Sequence, residues 1–349
     1  MQTFAMRKII FFFIVLSLFF ISCNQNKTSL SLIEYHAITD SGVQTGGVKM
    51  IPIKTEKGTF NVWTKTIGNN PKIKLLLLHG GPGGTHEAFE CFESFMPKEG
   101  IEIIEYDQLE SYYSDKPNDS SLWTIDHFVE EVEQVRKALN LNKDNFYLLG
   151  HSWGGILAME YALKYQDNIK GLIISNMVAS IPEYEKYNTT LRNKMRKTLV
   201  DSLMNYEARG MFKDTTYQRL VLTEYYAQHI CRLKDWPEPI NRMFSHLSEG
   251  IYVAMQGPSE FKTGGRLLHW DRSKDLNKIN VPTLTIGGEF DTMDPNYMKW
   301  MATQVKNGNY LYCPTGSHCS MWDDQAHYFP GLISFIKSVN ENKFEPIKN

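Results

Sequence analysis

The sequence predicts an α/β protein with a mostly parallel central sheet and a helical segment inserted before the last strands. Two observations support this class. Short apolar runs alternate with segments of helical spacing, and one long helical block interrupts that alternation late in the chain. The chain has 349 residues, of which 42% are hydrophobic and 22% charged, so it can bury a large core and is not disordered.

The strand and helix signals follow in order along the chain. Thr59–Thr66 alternates apolar and polar residues and predicts an edge strand. Ile73–Leu78 is a continuous apolar run, which suits a strand covered on both faces. Ile101–Tyr106 predicts the next strand, and Ile125–Leu139 carries its apolar residues on one helical face. Later strands are predicted at Asn145–Leu149, Gly171–Ile174, Val281–Ile286 and Tyr310–Tyr312, and a last helix at Asp324–Val339.

A helical block separates two of these strands. Between residues 181 and 270 the strand-like runs disappear and apolar residues recur at helical spacing. Such an insertion is expected to cover the carboxyl edge of the sheet, where open α/β sheets bind their ligands. The predicted boundaries are 35–180 and 271–345 for the α/β core and 181–270 for a helical cap.

Residues 1–23 have the features of an export signal. Arg7 and Lys8 precede the apolar run Ile9–Ile21, which is short for a membrane span and typical of a signal peptide. The order Phe20-Ile21-Ser22-Cys23 resembles a bacterial lipobox, with phenylalanine in place of the usual leucine. That resemblance implies lipidation of Cys23, a polar tether over 24–34, and an exported lipoprotein anchored at the periplasmic face or the cell surface. The alternative is an ordinary cleaved signal with an incidental cysteine.

A nucleophilic serine is predicted at Ser152. The pattern Gly150-His151-Ser152-Trp153-Gly154 follows the apolar run Asn145–Leu149 and opens a helix at Trp153. A strand, a sharp turn and a helix in this order hold the serine in a strained conformation that exposes its hydroxyl, and the flanking glycines avoid collisions across the turn.

A serine hydroxyl needs a base, and the base needs a carboxylate to fix its tautomer. The chain order serine, acid, histidine predicts that both partners lie on loops after later strands. Asp291 follows Val281–Ile286 as the predicted acid, and His318 follows Tyr310–Tyr312 as the predicted base. The alternatives are Glu289 and Asp294 for the acid, and His151 and His327 for the base.

A glycine-rich loop, His79-Gly80-Gly81-Pro82-Gly83, follows the buried strand Ile73–Leu78. Acyl transfer places negative charge on a carbonyl oxygen, and preorganised backbone N–H groups stabilise that charge. We therefore predict the N–H groups of Gly81 and Trp153 as the oxyanion hole. The loop has neither a G-K-[ST] ending nor the G-x-G-x-x-G spacing, which argues against a nucleotide site.

Charge and cysteine spacing restrict the possible partners. The net charge is −2 and no Lys/Arg cluster is present, which argues against nucleic-acid binding. A serine mechanism requires no cofactor or metal, and the cysteines after the signal show no metal-ligand spacing. They could pair as disulfides in an exported protein or remain as buried thiols: Cys91, Cys231, Cys313 and Cys319.

Taken together, these motifs resemble the proline iminopeptidases, S33 serine aminopeptidases with the α/β-hydrolase fold, and particularly the branch that includes the tricorn-interacting aminopeptidase. The resemblance spans about Lys49 to the end of the chain. It implies release of an N-terminal residue, often proline, from short peptides. The motifs that carry it are His79–Gly83, Asp107-Gln108-Leu109, Gly150–Gly155 and Gly287–Asp291.

The resemblance also implies a carboxylate in the cap that binds the free α-ammonium of the substrate. Glu260, in Gly257-Pro258-Ser259-Glu260-Phe261, is the better match, and Glu224 is the second candidate. Glu110 stands where such sequences usually carry glycine, so it could reshape the loop or add a carboxylate near the substrate amine. Aromatic residues of the cap could wall the pocket for the first residue: Tyr225, Tyr226, Trp236 and Tyr252.

The expected activity is therefore that of a serine aminopeptidase acting through an acyl-enzyme. An esterase or amidase with the same triad is the alternative enzyme, and a binding protein without catalysis is the alternative outside enzymes. The free amine distinguishes the first two, since only an aminopeptidase requires it. A missing triad residue would favour the third, and the sequence carries all three.

Overall fold

A computed structural model describes residues 47–347, so the predicted signal, lipidation site and tether lie outside the described residues. An eight-stranded sheet has the order β1-β2-β4-β3-β5-β6-β7-β8. Strands β3 to β8 are mutually parallel. The strands are β1 (Val48–Thr55), β2 (Gly58–Ile67), β3 (Lys74–Leu78), β4 (Glu102–Asp107), β5 (Phe146–His151), β6 (Gly171–Ser175), β7 (Thr283–Gly288) and β8 (Gly308–Cys313).

The predicted edge position of Thr59–Thr66 is wrong. This segment forms β2, which pairs antiparallel with β1 on one side and with β4 on the other. The edge is β1, whose short sequence contains Pro52 and several polar residues and gives no clear strand signal. Proline is tolerated there because an edge strand has one side without a ladder partner.

Helices cover both faces of the parallel part of the sheet, as predicted. Leu76 and Leu78 of β3 belong to one apolar cluster, while Leu75 and Leu77 belong to a second cluster on the opposite face. Within residues 47–347 no helix is both long and apolar enough to cross a membrane. The helices of the core are α1 (Ile125–Ala138), α2 (Trp153–Tyr165), α9 (Pro295–Gln304), α10 (Ser320–Asp323) and α11 (Gln325–Asn340), with short 3-10 helices at His86–Ser94, Pro97–Glu99, Gln166–Asn168 and Leu276–Lys278.

The helical block lies between β6 and β7. The chain leaves the core after Ser180 and returns at Asp271, and these two residues form an antiparallel bridge. The block has its own apolar cluster, which includes Leu203, Tyr225 and Phe261. Its helices are α3 (Ile181–Lys194), α4 (Lys197–Ala208), α5 (Thr215–Val221), a π-helix at Leu222–Tyr226, α6 (Ala227–His229), α7 (Glu238–His246) and α8 (Glu249–Met255).

The four cysteines of the described residues are unpaired and buried, which is the second of the two states left open by the sequence. Burial raises the pKa of the Cys91 and Cys319 thiols well above their usual range. Thiolates are therefore disfavoured, and these cysteines act as small apolar residues of the core.

Glu105 of β4 is a carboxylate buried inside the sheet. Its cross-strand partner is Lys65, whose Nζ lies 3.8 Å from Glu105 Oε2 and 2.7 Å from Glu93 Oε1. Neither carboxylate oxygen of Glu105 has a hydrogen-bond partner among the described residues. Burial raises the pKa of Glu105 from 4.5 to about 7, although the charge of Lys65 opposes this shift.

We predict that Glu105→Gln stabilises the protein at pH 8 and has little effect at pH 4. Between pH 4.5 and about pH 7 the carboxyl group of Glu105 holds a proton in the folded state that it has released in the unfolded state. Stability therefore falls as pH rises through this range, by roughly 3 kcal/mol. Denaturant unfolding at both pH values measures the difference. Glu93→Gln, which removes the exposed partner of the same lysine, should change stability by less than about 1 kcal/mol. Equal destabilisation by Glu105→Gln at both pH values would contradict the prediction.

Candidate active site

Loops after four parallel strands meet at the carboxyl edge of the sheet. Gly81 follows β3, Ser152 follows β5, Asp291 follows β7 and His318 follows β8. Gly81, Ser152 and His318 line one cavity of about 1080 Å³ that extends into the cap. Residues far apart in the sequence come together because parallel strands end at the same edge.

Ser152 lies in the turn between β5 and α2. Its φ is 56° and its ψ is −127°, a conformation that L-residues rarely adopt. A methyl group at Gly150 would lie 1.9 Å from the carbonyl oxygen of Gly154, and one at Gly154 would lie 2.0 Å from that of Leu78. Only glycine fits at these two positions, so the turn holds the serine at the cavity wall.

His318 and Asp291 form a buried pair. His318 Nδ1 lies 2.8 Å from Asp291 Oδ1, and both side chains are almost fully inaccessible. Burial by itself lowers the pKa of His318, but the charge and the hydrogen bond of Asp291 outweigh it, so the pKa is raised. No hydrogen bond joins Ser152 to His318 in the part of the chain described, which is common in enzymes without bound substrate.

Asn176 holds the acid in place, a role that was not predicted from the sequence. Its Nδ2 donates to Asp291 Oδ2 at 2.8 Å and to the carbonyl oxygen of Ser317 at 3.1 Å. The φ of Asn176 is 53°, in the left-handed region that asparagine tolerates. An asparagine directly after the buried strand β6 is a signal that could have indicated this role.

The glycine-rich loop passes beside the nucleophile. A methyl group at Gly80 would lie 3.0 Å from Ser152 Cβ, and Gly81 has a φ of 114°. The N–H groups of Gly81 and Trp153 donate to no acceptor among residues 47–347. Both predicted oxyanion donors are therefore available to a substrate oxygen.

Gln108 connects the two segments that carry these donors. Its backbone N–H donates to His79 Nε2 at 3.1 Å, and its side-chain Nε2 donates to the His79 carbonyl oxygen at 3.2 Å. Its Oε1 accepts a hydrogen bond from the indole of Trp153 at 2.9 Å. Burial lowers the pKa of His79, which keeps the ring neutral and able to accept at Nε2. The sequence had singled out Gln108 only as part of a family motif.

The alternative acids and bases lie elsewhere or lack partners. Glu289 accepts a hydrogen bond from Tyr312 at the exposed end of β8, and Asp294 caps the first turn of α9. His327 lies half-exposed on α11. His151 does line the cavity, but burial and the neighbouring His318 lower its pKa well below its usual range, and its Nδ1 has no partner.

Glu260 lies in the wall of the same cavity as Ser152 and His318. Its Oε1 accepts a hydrogen bond from the Tyr252 hydroxyl at 2.7 Å, and its Oε2 accepts one from the Tyr184 hydroxyl at 2.8 Å. Among the described residues no Lys, Arg or His forms an ion pair with Glu260. The carboxylate is fixed by neutral donors and has no cationic partner in the described part of the chain.

The structure does not bring Glu224 to this cavity, which corrects the second candidate for the amine-binding carboxylate. Glu224 lies in the π-helix, where its Oε2 is 3.4 Å from an Arg196 nitrogen, and it lines a separate, smaller pocket. In the same turn, Tyr226 lines the main cavity. Residues two positions apart on a helix point to nearly opposite sides, so the turn that directs Tyr226 into the cavity directs Glu224 away from it.

The aromatic residues of the cap divide into two groups. Tyr226 and Tyr252 line the cavity, as the resemblance led us to expect. Tyr225 instead packs in the apolar cluster of the cap, and the indole of Trp236 donates to a backbone carbonyl of Cys231.

Glu110 shapes the loop after β4 and does not line the cavity. Its φ is 72°, which explains why glycine is usual at this position. Its Oε1 accepts hydrogen bonds from the backbone N–H of Asn118 and from the indole of Trp123. The carboxylate therefore fixes the loop 110–123 through its Oε1.

Comparison with known proteins agrees with this arrangement. Residues 74–325 match the family model of the alpha/beta hydrolase fold. The chain is 57% identical over 295 residues to the proline iminopeptidase of Flavobacterium johnsoniae, covering 84% of this chain and 99% of that protein. It is 55% identical over 297 residues to the proline iminopeptidase of Elizabethkingia meningoseptica, covering 84% of this chain and 100% of that protein.

Solved structures show the same architecture. The crystal structure of the proline iminopeptidase from Mycobacterium smegmatis superposes with a TM-score of 0.76 at 25% identity, covering 84% of this chain and 99% of that one. The predicted fold and the predicted family are thus confirmed. The chain belongs to the proline iminopeptidases, a family of S33 serine peptidases with the α/β-hydrolase fold.

Proposed function

We propose that this protein is a lipid-anchored, exported aminopeptidase that releases an N-terminal residue, preferably proline, from short peptides. One observation carries the assignment as an aminopeptidase: the carboxylate of Glu260 lines the cavity of Ser152 and forms no ion pair with a cation among residues 47–347. The names of the relatives at 57% and 55% identity support proline as the preferred residue.

The amine site follows from the chemistry of a buried carboxylate. A carboxylate offers about four acceptor sites on its two oxygens, and two tyrosine hydroxyls occupy only part of them. An ionised carboxylate in a largely buried position favours a cationic partner. The α-ammonium of a peptide is such a cation, whereas an ester or an acetyl-capped amide offers none.

The catalytic steps use residues of this chain alone. His318 takes the proton of Ser152, whose oxygen attacks the first carbonyl carbon of the peptide. The N–H groups of Gly81 and Trp153 bind the resulting oxyanion, and Asp291 stabilises the imidazolium of His318. His318 then protonates the leaving amine, and water hydrolyses the acyl-enzyme with His318 again as base.

We predict that Glu260→Gln lowers kcat/KM for proline arylamide, because the substrate ammonium loses its charged partner. A charge-assisted hydrogen bond is worth about 1.5–3 kcal/mol, which corresponds to a loss of about 10- to 150-fold. Glu224→Gln is the matched control and should retain full activity, and Ser152→Ala provides the blank. Acetyl-proline arylamide cleaved as fast as the uncapped substrate would instead identify an esterase or amidase.

We predict that the acid limb of the kcat/KM profile lies above pH 6.5, the ordinary pKa of histidine. The pKa of His318 is raised in the folded protein, so His318 holds its proton to a higher pH. Only the neutral ring can accept the serine proton, so activity is lost as pH falls through the raised pKa. Asp291→Asn should move the limb to lower pH and reduce kcat by about 10⁴-fold. An unshifted limb in Asp291→Asn would contradict the role given to the pair.

We predict that Cys23→Ser releases the protein from the membrane fraction of the cell that exports it. Lipidation of Cys23 would supply the anchor. Within residues 47–347 no helix is long and apolar enough to span a membrane. Fractionation followed by immunoblotting measures the distribution, and Ser22→Ala, next to the lipidation site, should leave the protein membrane-bound. Wild-type protein found only in the soluble fraction would contradict the anchor.

A further inference from the structure

We propose that Arg242 and His246 of the cap, through Glu87, are positioning residues that hold the oxyanion loop in its active shape. The inference rests on the proposed function, in which the Gly81 N–H binds the oxyanion. We call the loop His79–Gly84 the oxyanion loop, and the contact of Arg242 and His246 with Glu87 the cap latch.

Glu87 is the centre of the cap latch. Its side chain is fully buried, three residues after the oxyanion loop. Arg242 Nη1 lies 2.7 Å from Glu87 Oε1, and His246 Nδ1 lies 2.9 Å from Glu87 Oε2. The hydroxyl of Thr85, the first residue after the loop, donates to the same Oε2 at 2.8 Å. Both oxygens of one buried carboxylate thus connect the end of the loop to cap helix α7.

A second contact joins the cap directly to the loop backbone. The N–H of Ser248, between α7 and α8, donates to the carbonyl oxygen of Gly83 at 2.8 Å. A methyl group at Gly83 would lie 2.7 Å from Ile251 Cγ2 and 3.0 Å from Ser248 Cβ. The cap therefore packs on the oxyanion loop with no space for a side chain between them.

The loop needs such external support because it contains four glycines in five positions and little side-chain packing of its own. Glycine is the most conformationally free residue, so a glycine-rich loop keeps one shape only when its surroundings impose it. The start of the loop is fixed by β3 and by Gln108. Its end is fixed by the cap latch and by Ser248.

Geometry also indicates why an arginine stands at this place. Arg242 binds Glu87 through Nη1, Glu90 through Nη2 at 2.7 Å, and Glu238 through Nε at 2.7 Å. The planar guanidinium can bridge these carboxylates at fixed angles, which a lysine ammonium does not reproduce. A buried ion pair of this kind contributes little net stability, but it fixes the relative placement of its partners.

The test compares Arg242→Gln with Arg272→Gln. Arg272 is a matched control because it also pairs with two carboxylates, those of Glu160 and Asp275. Its side chain is 41% exposed, compared with 35% for Arg242. Unlike Arg242, it lies away from the oxyanion loop and its neighbours. Arg242→Gln should lower kcat by about 10- to 100-fold with KM nearly unchanged. The affinity of Arg242→Gln for a prolyl boronate should fall by the same factor as kcat, because the tetrahedral boronate adduct uses the oxyanion hole. Affinity for free proline should not change.

A second pair of variants tests the contact at Gly83 without removing any charge. Ser248 has a φ of −76°, which proline can adopt. In Ser248→Pro a ring carbon replaces the N–H and pushes the Gly83 carbonyl oxygen away, whereas Ser248→Ala keeps the hydrogen bond. Ser248→Pro should lower kcat as Arg242→Gln does, and Ser248→Ala should resemble the wild type. Thermal unfolding of all four variants separates loss of fold from loss of loop geometry.

A fluorophosphonate labels Ser152 without any peptide substrate. The labelling rate therefore tests the cap latch independently of substrate preference. Slower labelling of Arg242→Gln than of Arg272→Gln supports the cap latch, even if the wild type were to cleave no aminoacyl substrate. Unchanged kcat and labelling in both Arg242→Gln and Ser248→Pro would overturn it. A proportional loss of proline affinity and boronate affinity would also overturn it, since that would indicate general damage to the site.

Discussion

The contact between the backbone of α2 and the end of β3 is the constraint on which the rest of the site depends. At Gly154 the helix lies so close to the Leu78 carbonyl that a single methyl group would collide with it. This approach brings the strained turn at Ser152 against the strand that leads into the oxyanion loop. A strained backbone conformation persists only where the surrounding structure prevents it from relaxing, and here the packed backbones of α2 and β3 prevent it.

Two buried carboxylates near the nucleophile, Asp291 and Glu260, have different surroundings. Asp291 is saturated by His318 and Asn176, so its charge is used to orient and stabilise the imidazole. Within the described residues Glu260 accepts hydrogen bonds from neutral hydroxyl and amide donors, which leaves acceptor capacity for a cation from outside. In the mechanism that we propose, this difference in environment, rather than residue type, makes one carboxylate orient the base and leaves the other for the substrate amine.

The positions of the parallel strands along the chain and the motifs at their ends could be predicted from the sequence, because buried parallel strands give continuous apolar runs and their loops share one edge. Strand β1 was not predicted because an edge strand can contain proline and polar residues and so lacks a continuous apolar run. The orientation of Glu224 could not be predicted because the sequence does not show which side of this helix faces the cavity. The roles of Asn176 and Gln108 depend on contacts across more than 25 residues of sequence, which no local pattern encodes.

The bridge between Ser180 and Asp271 makes the cap a cassette with adjacent ends. Because entry and exit are already paired, replacing the intervening segment changes the loop-closure entropy only slightly, by about 0.6 kcal/mol for each doubling of its length. Evolution or an engineer can therefore exchange this cassette to alter what enters the cavity while the sheet and its catalytic loops stay the same. The exchange is not unconditional, however. A new cassette has to bring its own cation for Glu87, or the core is left with a buried charge that nothing neutralises.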